Sequence, residues 1–300
     1  MSDAAPKKEH RAGFVGIVGN PNVGKSTLMN ALVGEKLSIV TAKAQTTRHR
    51  IMGIVNTEDT QIVYSDTPGM LKPNYRLQAD MMRFVDTAIG DADVILYVTD
   101  VVEKSDKNAE YIEKLQRVAC PVIVVVNKID ISDQEKVGGL LRWWQETLPK
   151  AQVIPISARE RFNLESVLQT VQAALPVAPP WFDKDQFTDR NLRFFASEII
   201  REKILENYDQ EVPYSCEVVV ESFKEGRQRY DIGAVIYVMR DSQKGILIGK
   251  GGSALKKVGT EARIEMEDFF QKKVFLELFV KVNENWRESR GALRKFGYED

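Results

Sequence analysis

Two cysteines and two histidines in 300 residues leave little material for redox, zinc or histidine-triad chemistry. Cys120 and Cys216 are far apart, beside or within apolar strand-like runs, so buried free thiols are expected. His10 falls in a polar tail and His49 in a basic loop. No apolar run approaches the roughly 20 residues of a membrane-spanning helix. The stretch Val122 to Val126 is strand-length and bounded by polar residues. Met1 to Arg11 is polar and mixed in charge, unlike a secretory signal, and a cytoplasmic location is expected. Net charge is also missing: 42 Lys and Arg against 43 Asp and Glu give −1. Indiscriminate attraction to polyanions is thereby excluded, DNA is not an expected partner, and any nucleic-acid contact must come from a local patch.

What is present suggests two domains, as the length allows. After a flexible tail at 1–11, residues 12–175 alternate short Val/Ile-rich runs with helical stretches, the pattern of an α/β doubly wound sheet. Strands are expected at Phe14–Val18, Gln61–Ser65, Val94–Thr99, Val122–Val126 and Val153–Ile156, with Ile51–Val55 as an antiparallel edge. The closely spaced prolines after Leu175 predict a linker over 176–190. Residues 191–300 then read as a smaller α+β domain: helix Leu192–Tyr208, strands Ser215–Phe223 and Tyr230–Met239, a glycine-rich turn, helix Ala254–Phe270 and strand Val274–Lys281.

Gly19-Asn20-Pro21-Asn22-Val23-Gly24-Lys25-Ser26, followed by Thr27, is a P-loop placed between a strand and a helix. Its amides suit phosphates, Lys25 the charge of the outer phosphates, and the Ser26 hydroxyl a Mg²⁺ ion. Asp66-Thr67-Pro68-Gly69 ends the next core strand. Asp66 is expected on the Mg²⁺ side through water, and the Gly69 amide near a γ-phosphate, so that Met70 to Arg76 responds to the nucleotide. Thr46 and Thr47, in the loop Lys43 to Arg50, are both candidates to close over Mg²⁺, with a slight preference for Thr47. Asn127-Lys128-Ile129-Asp130 suits guanine, because a carboxylate at Asp130 can accept from both the ring N1–H and the exocyclic amine. Ser157-Ala158-Arg159 would add a backbone amide for the guanine O6. GTP and GDP are therefore the expected ligands, and an ATPase is the weaker alternative.

In the second half, Gly245 to Gly252 reads as a turn ending in Gly249-Lys250-Gly251-Gly252, which resembles the Gly-x-x-Gly loop of a KH domain of the prokaryotic type, type II. Arg240, Lys244, Lys250, Lys256 and Lys257 surround it against one acid, Asp241. Ile246, Leu247 and Ile248 are expected to form an apolar floor for unstacked bases. Arg287, Arg290, Arg294 and Lys295 either extend that face or form a solvated helix. Trp286, Trp181, Trp143 and Trp144 read as core or interdomain packing.

The ordered set of P-loop, Thr-Thr-Arg, Asp-Thr-Pro-Gly, Asn-Lys-Ile-Asp and Ser-Ala-Arg motifs resembles the translation-factor-related GTPases. Joined to the Gly249–Gly252 loop, with no second P-loop, it resembles the bacterial Era GTPase family over nearly the whole chain. The resemblance implies GTP hydrolysis, with Lys25, Thr47 and Gly69 at the reacting phosphate. It also implies binding of the 3′ end of 16S ribosomal RNA, a role in 30S subunit biogenesis, and loose association with the inner membrane face. A monomer is expected. Met70 stands where Ras-like proteins place a water-orienting glutamine, so slow intrinsic turnover is expected. Asn22 stands where some relatives recruit K⁺. The rival reading is a signalling GTPase whose second domain docks a protein.

Overall fold

The computed structural model describes residues 9–41, 43, 45–104 and 109–298. The chain forms two compact units, the first taking in residues up to 38, 47–71 and 82–189, and the second 39–46, 72–81 and 190 onward. Of the tail expected at 1–11, residues 1–8 lie outside the described ones. Arg11 is not tail: it opens the first strand, donating its N–H to Asp59 O at 2.9 Å.

The first unit is built from β1 (Arg11–Gly19), α1 (Lys25–Val33), β2 (Ile51–Asn56), β3 (Thr60–Asp66), α2 (Arg76–Gly90), β4 (Val94–Asp100), α3 (Ala109–Arg117), β5 (Val122–Asn127), α4 (Gln134–Thr147), β6 (Gln152–Pro155) and α5 (Leu164–Ala174). The first turns of α2 belong by their contacts to the second unit. The sheet order is β2-β3-β1-β4-β5-β6, parallel except for the antiparallel edge β2, as the sequence predicts. Every residue of β3 and β4 is buried. Sheets covered by helices on both faces demand such strands, which explains why apolar runs replace apolar–polar alternation here. The chain leaves β1 toward β3 on one side and β4 on the other, and ligands in open α/β sheets sit at such a reversal, beyond the carboxyl ends of the strands.

The proline-rich segment after α5 is not a free tether. Gln61, wholly buried in β3, accepts from the N–H groups of Trp181 and Phe182 and donates to Phe182 O. Ile54 N–H donates to Phe187 O at 2.9 Å, and Thr188 Oγ1 donates to Met52 O at 2.7 Å. The segment thus covers the open edge of β2. Trp181 departs from the expectation of buried packing: its ring lies 5.7 Å from Phe14 but remains 61% exposed.

The second unit comprises α6 (Leu192–Asn207), β7 (Glu217–Glu225), β8 (Arg229–Val238), α7 (Asp241–Ile248), α8 (Ser253–Phe270), β9 (Lys273–Val282) and α9 (Arg290–Lys295). The sheet order is β7-β8-β9, antiparallel then parallel. One sheet face carries the core, where Ile200 and Ile204 of α6 and Ala262 and Met266 of α8 join Ile232, Ala234 and Ile236. Trp286 is fully buried and donates from Nε1 to Ser215 O at 3.0 Å.

Helix α7 corrects the sequence reading, which made Gly245 to Gly252 one turn. Gly245 disfavours a helix interior by roughly 1 kcal/mol relative to Ala. Tertiary structure overrides that preference: Leu247 is fully buried, and Gln243 Oε1 accepts from the N–H groups of Met239 and Arg240 at the helix start. Ile246 to Ile248 consequently form no continuous floor, since Leu247 faces the core, Ile248 is half-buried and Ile246 is 51% exposed.

Candidate nucleotide-binding and RNA-binding sites

The residues at the strand ends of the first unit are tied together by buried polar contacts. Ser26 Oγ donates to Asp66 Oδ2 at 2.7 Å and lies 2.9 Å from Thr47 Oγ1, which is itself 3.4 Å from Asp66 Oδ2. Three oxygen donors therefore converge, and Asp66 Oδ1 is buried without a protein partner. Asp66 is fully buried, and desolvation raises its pKa, although Lys25 and the surrounding hydroxyls oppose the shift. The two candidate threonines separate: Thr47 faces this cluster, whereas the Thr46 carbonyl accepts from Arg201 in the second unit. The loop is no solvated basic segment, because Arg48, His49 and Arg50 are all buried. Arg50 pairs with Asp91 at 2.7 Å and donates to Ser65 Oγ.

Lys25 folds back to donate to Asn20 O at 2.9 Å. Burial lowers its pKa from the ordinary 10.5 to about 8, with Asp66 and Glu103 opposing. Asn22 is exposed between half-buried Pro21 and buried Val23, and Thr27 lies in α1 beside Ser26. Pro68 and Gly69 pack against the P-loop: a Cβ on Gly69 would sit 2.7 Å from Pro21 atoms, so only glycine permits this approach. Thr67 Oγ1 donates to Ile17 O at 2.8 Å, and Met70 is buried with its N–H donating to Gly19 O at 3.0 Å.

Asn127 joins three segments. Its Nδ2 donates to Val23 O at 2.8 Å, and its Oδ1 accepts from the N–H groups of Lys128 and Ala158. Lys128 Nζ reaches Asn22 O at 2.5 Å and Asp100 Oδ2 at 2.7 Å. Asp130 is exposed on the 3₁₀ turn Ile129–Ile131, and Ser157 Oγ accepts from Glu160 N–H at 3.1 Å beside the exposed Arg159. Asp100 and Glu103 join this site although they belong to none of the sequence motifs. Glu103 accepts from Asn20 Nδ2 and from Thr99 Oγ1, both at 2.6 Å, and so braces the P-loop. Only their position at and just past the carboxyl end of β4 could have signalled them.

In the second unit, Gly249, Gly251 and Gly252 have φ of 71°, 60° and 79°. Lys250, Lys256 and Lys257 are exposed, with Lys257 3.8 Å from Glu261, and Lys244 is half-buried on α7. Beside the loop lies a groove between α8 and β9, lined by Gly252, Leu255, Lys256, Gly259, Thr260, Arg263, Leu276 and Leu278. Its apolar floor is Leu255, Leu276 and Leu278, which the sequence reading did not single out. Arg287 and Lys295 are engaged over the rings of Tyr75 and Tyr237.

A doubly wound sheet with these motifs at its switch point, followed by this α-β-β-α-α-β unit, defines a P-loop GTPase domain joined to a KH domain. Residues 14–128 match the family model of 50S ribosome-binding GTPases, and residues 211–287 match that of a KH domain. GTPase Era of Pseudomonas putida is 43% identical over 302 residues, covering all of both chains. The chloroplastic GTPase ERA1 of Zea mays is 43% identical over 294 residues, 96% of this chain and 71% of that one. Aquifex aeolicus Era bound to GDP·AlF4⁻ superposes with a TM-score of 0.93 at 39% identity, covering 97% of this chain and 100% of that one. An Era in complex with MgGDPNP and nucleotides 1506–1542 of 16S ribosomal RNA has the same TM-score, identity and coverage. The chain belongs to the Era family of GTPases and is itself a GTPase. Among the described residues no helix is long and apolar enough to cross a membrane.

Proposed function

We propose that this GTPase binds the single-stranded 3′ end of small-subunit ribosomal RNA through its second unit, in a manner set by the nucleotide, during assembly of the 30S subunit. The observation that carries the reading is the groove between α8 and β9, with an apolar floor, cations at its rim and a glycine-lysine-glycine-glycine lip. Such a groove accepts splayed bases, while the lip and the N-terminus of α8 accept the phosphate backbone. The related Era bound to 16S RNA nucleotides supports the choice of RNA.

Guanine is read by Asp130, and the phosphates are held by Gly19 to Thr27. The oxygen cluster of Ser26, Thr47 and Asp66, with a buried orphan carboxylate oxygen, fits Mg²⁺. Bound there, the ion would neutralise phosphate charge. Lys25 contributes a second positive charge, and the Gly69 amide faces the γ-phosphate. Met70 cannot orient water, so turnover is slow without a further cation. Asn22, exposed at φ 66° in the P-loop, offers a place for K⁺ beside the phosphates. Exchanging K⁺ for Na⁺ is expected to slow turnover, and an unchanged rate rejects that part of the reading.

Coupling to the nucleotide is supported by the membership of the second unit. Residues 72–81, which follow Asp66–Gly69, belong to it: Leu77 N–H donates to Arg287 O at 3.0 Å, Arg76 N–H donates to Glu288 Oε2 at 3.2 Å, and Arg287 covers Tyr75. The test is crosslinking to the 16S RNA 3′ end with GDP or with a non-hydrolysable GTP analogue. Crosslinks through the α8–β9 groove that differ between the two nucleotides are expected. Absence of RNA crosslinks in both states favours protein docking instead.

A further inference from the structure

Helix α6 buries three charged side chains at helical spacing: Glu198, Arg201 and Glu202. Buried charge is costly unless paired and hydrogen-bonded. Arg201, 2% exposed, meets Glu198 at two points, Nε to Oε1 at 2.8 Å and Nη2 to Oε2 at 2.6 Å. That two-point pair fixes the guanidinium plane. The same Nη2 donates to the carbonyl oxygen of Thr46. Thr46 immediately precedes Thr47, whose hydroxyl lies 2.9 Å from Ser26 Oγ in the cluster that fits Mg²⁺. Because a peptide unit is rigid and planar, fixing the Thr46 carbonyl fixes the direction in which the chain enters Thr47. The loop has a further anchor on the same side, where Lys43 Nζ donates to Tyr208 O and pairs with Asp209 at 3.0 Å. Accordingly, residues 39–46 belong to the second unit.

We propose that Arg201 is a positioning residue of the GTPase reaction: paired with Glu198, it holds the Thr46 carbonyl and so sets the direction in which the chain enters Thr47. The proposal rests on the reading of Thr47 as a Mg²⁺-side group. Glu198 supports it by orienting the guanidinium, and Lys43 holds the other end of the loop.

The test measures GTP turnover as a function of Mg²⁺, together with GTP-analogue and GDP affinities, in the full-length protein. Losing a charge-assisted hydrogen bond in Arg201→Ala is expected to raise the Mg²⁺ needed for half-maximal turnover about tenfold. GDP affinity is expected to stay within about twofold, because the loop closes over Mg²⁺ only with a γ-phosphate present. Arg201→Lys retains charge without the fork geometry and gives an intermediate shift. Lys43→Ala, at a partly exposed anchor, preserves the fold and gives a shift of about threefold in the same direction. Thr47→Ala separates the two readings. If it shifts the Mg²⁺ dependence while Arg201→Ala and Lys43→Ala do not, Arg201 has no positioning role and the Thr47 reading survives. If Thr47→Ala changes nothing, both fall. An Arg201→Ala protein that loses GTP-analogue and GDP affinity equally has only a structural defect, which overturns the proposal. Should Arg201→Ala not fold, Lys43→Ala decides.

Discussion

The two glycine loops of this protein place their glycines in similar left-handed backbone but in opposite surroundings. Gly24 has φ 95°, and a Cβ there would lie 2.3 Å from Asn127 Nδ2. Gly251 has φ 60°, and a Cβ there would meet nothing within 4 Å. The nucleotide loop is one wall of a cleft cross-braced by Asn127, Lys128 and Glu103, so its specificity comes from fixed geometry. The KH-domain loop is open at Gly251 and Gly252, where proximity of the backbone and positive charge are enough for a phosphate chain. A crowded site recognises one small molecule, whereas an open one accommodates a flexible polymer.

Mutations can break or sharpen that contrast. The largest effect is expected at Asp130, which is proposed to discriminate guanine by two hydrogen bonds to a charged acceptor. Asp130→Asn should shift the preference between GTP and xanthosine triphosphate by about 10³-fold in competition binding, and unchanged discrimination removes Asp130 from base reading. Next is Gly24→Ala, whose methyl group must displace an Asn127 amide pinned by three hydrogen bonds. A loss of about 100-fold in GDP affinity, read by fluorescent-nucleotide titration, is expected. Replacing Lys250 and Gly251 together by Asp should weaken binding to a single-stranded 16S 3′-end oligonucleotide about 30-fold and lower the salt slope by roughly one, leaving GDP affinity unaltered.

The crowded site also carries a pH effect. Lys25 is held at about 8 by burial, below its ordinary 10.5, so the nucleotide-free protein releases this proton earlier than the unfolded chain does. From that group, nucleotide-free stability rises with pH between those two values, because the unfolded state then binds more protons. GDP affinity moves the other way: the phosphates need the charged amine, so affinity falls toward about tenfold per pH unit above 8, with proton uptake visible by calorimetry in buffers of different ionisation enthalpy. The smallest effect is expected for Gly251→Ala, where only backbone strain opposes the change. RNA affinity should fall by less than about fivefold, and a loss matching that at Gly24 would show that the lip is not open.

Much of the nucleotide site was legible because its chemistry is local. A P-loop, Asp-Thr-Pro-Gly and Asn-Lys-Ile-Asp each follow a strand, and the strands announce themselves as buried apolar runs, so order along the chain already implied their meeting at the carboxyl ends of the strands. The RNA groove was less legible. Leu255 lies on α8, and Leu276 and Leu278 on β9, and nothing in the local sequence says that the two elements leave a gap between them. Gly245 masked α7 for the same reason: local preference pointed to a turn, and burial of Leu247 outweighed it.

By itself the sequence determined the alternating strands and helices, the order of the P-loop, Asp-Thr-Pro-Gly and Asn-Lys-Ile-Asp motifs after their strands, and the glycine turn at Gly249–Gly252, because each depends on residues adjacent in the chain. Only the tertiary structure decided that Thr47 and not Thr46 faces Ser26, that Asn127 ties three loops together, and that Arg201 reaches a carbonyl 155 residues earlier in the chain. Those outcomes depend on which buried donors find acceptors after the chain has closed on itself, and no local spacing encodes that pairing.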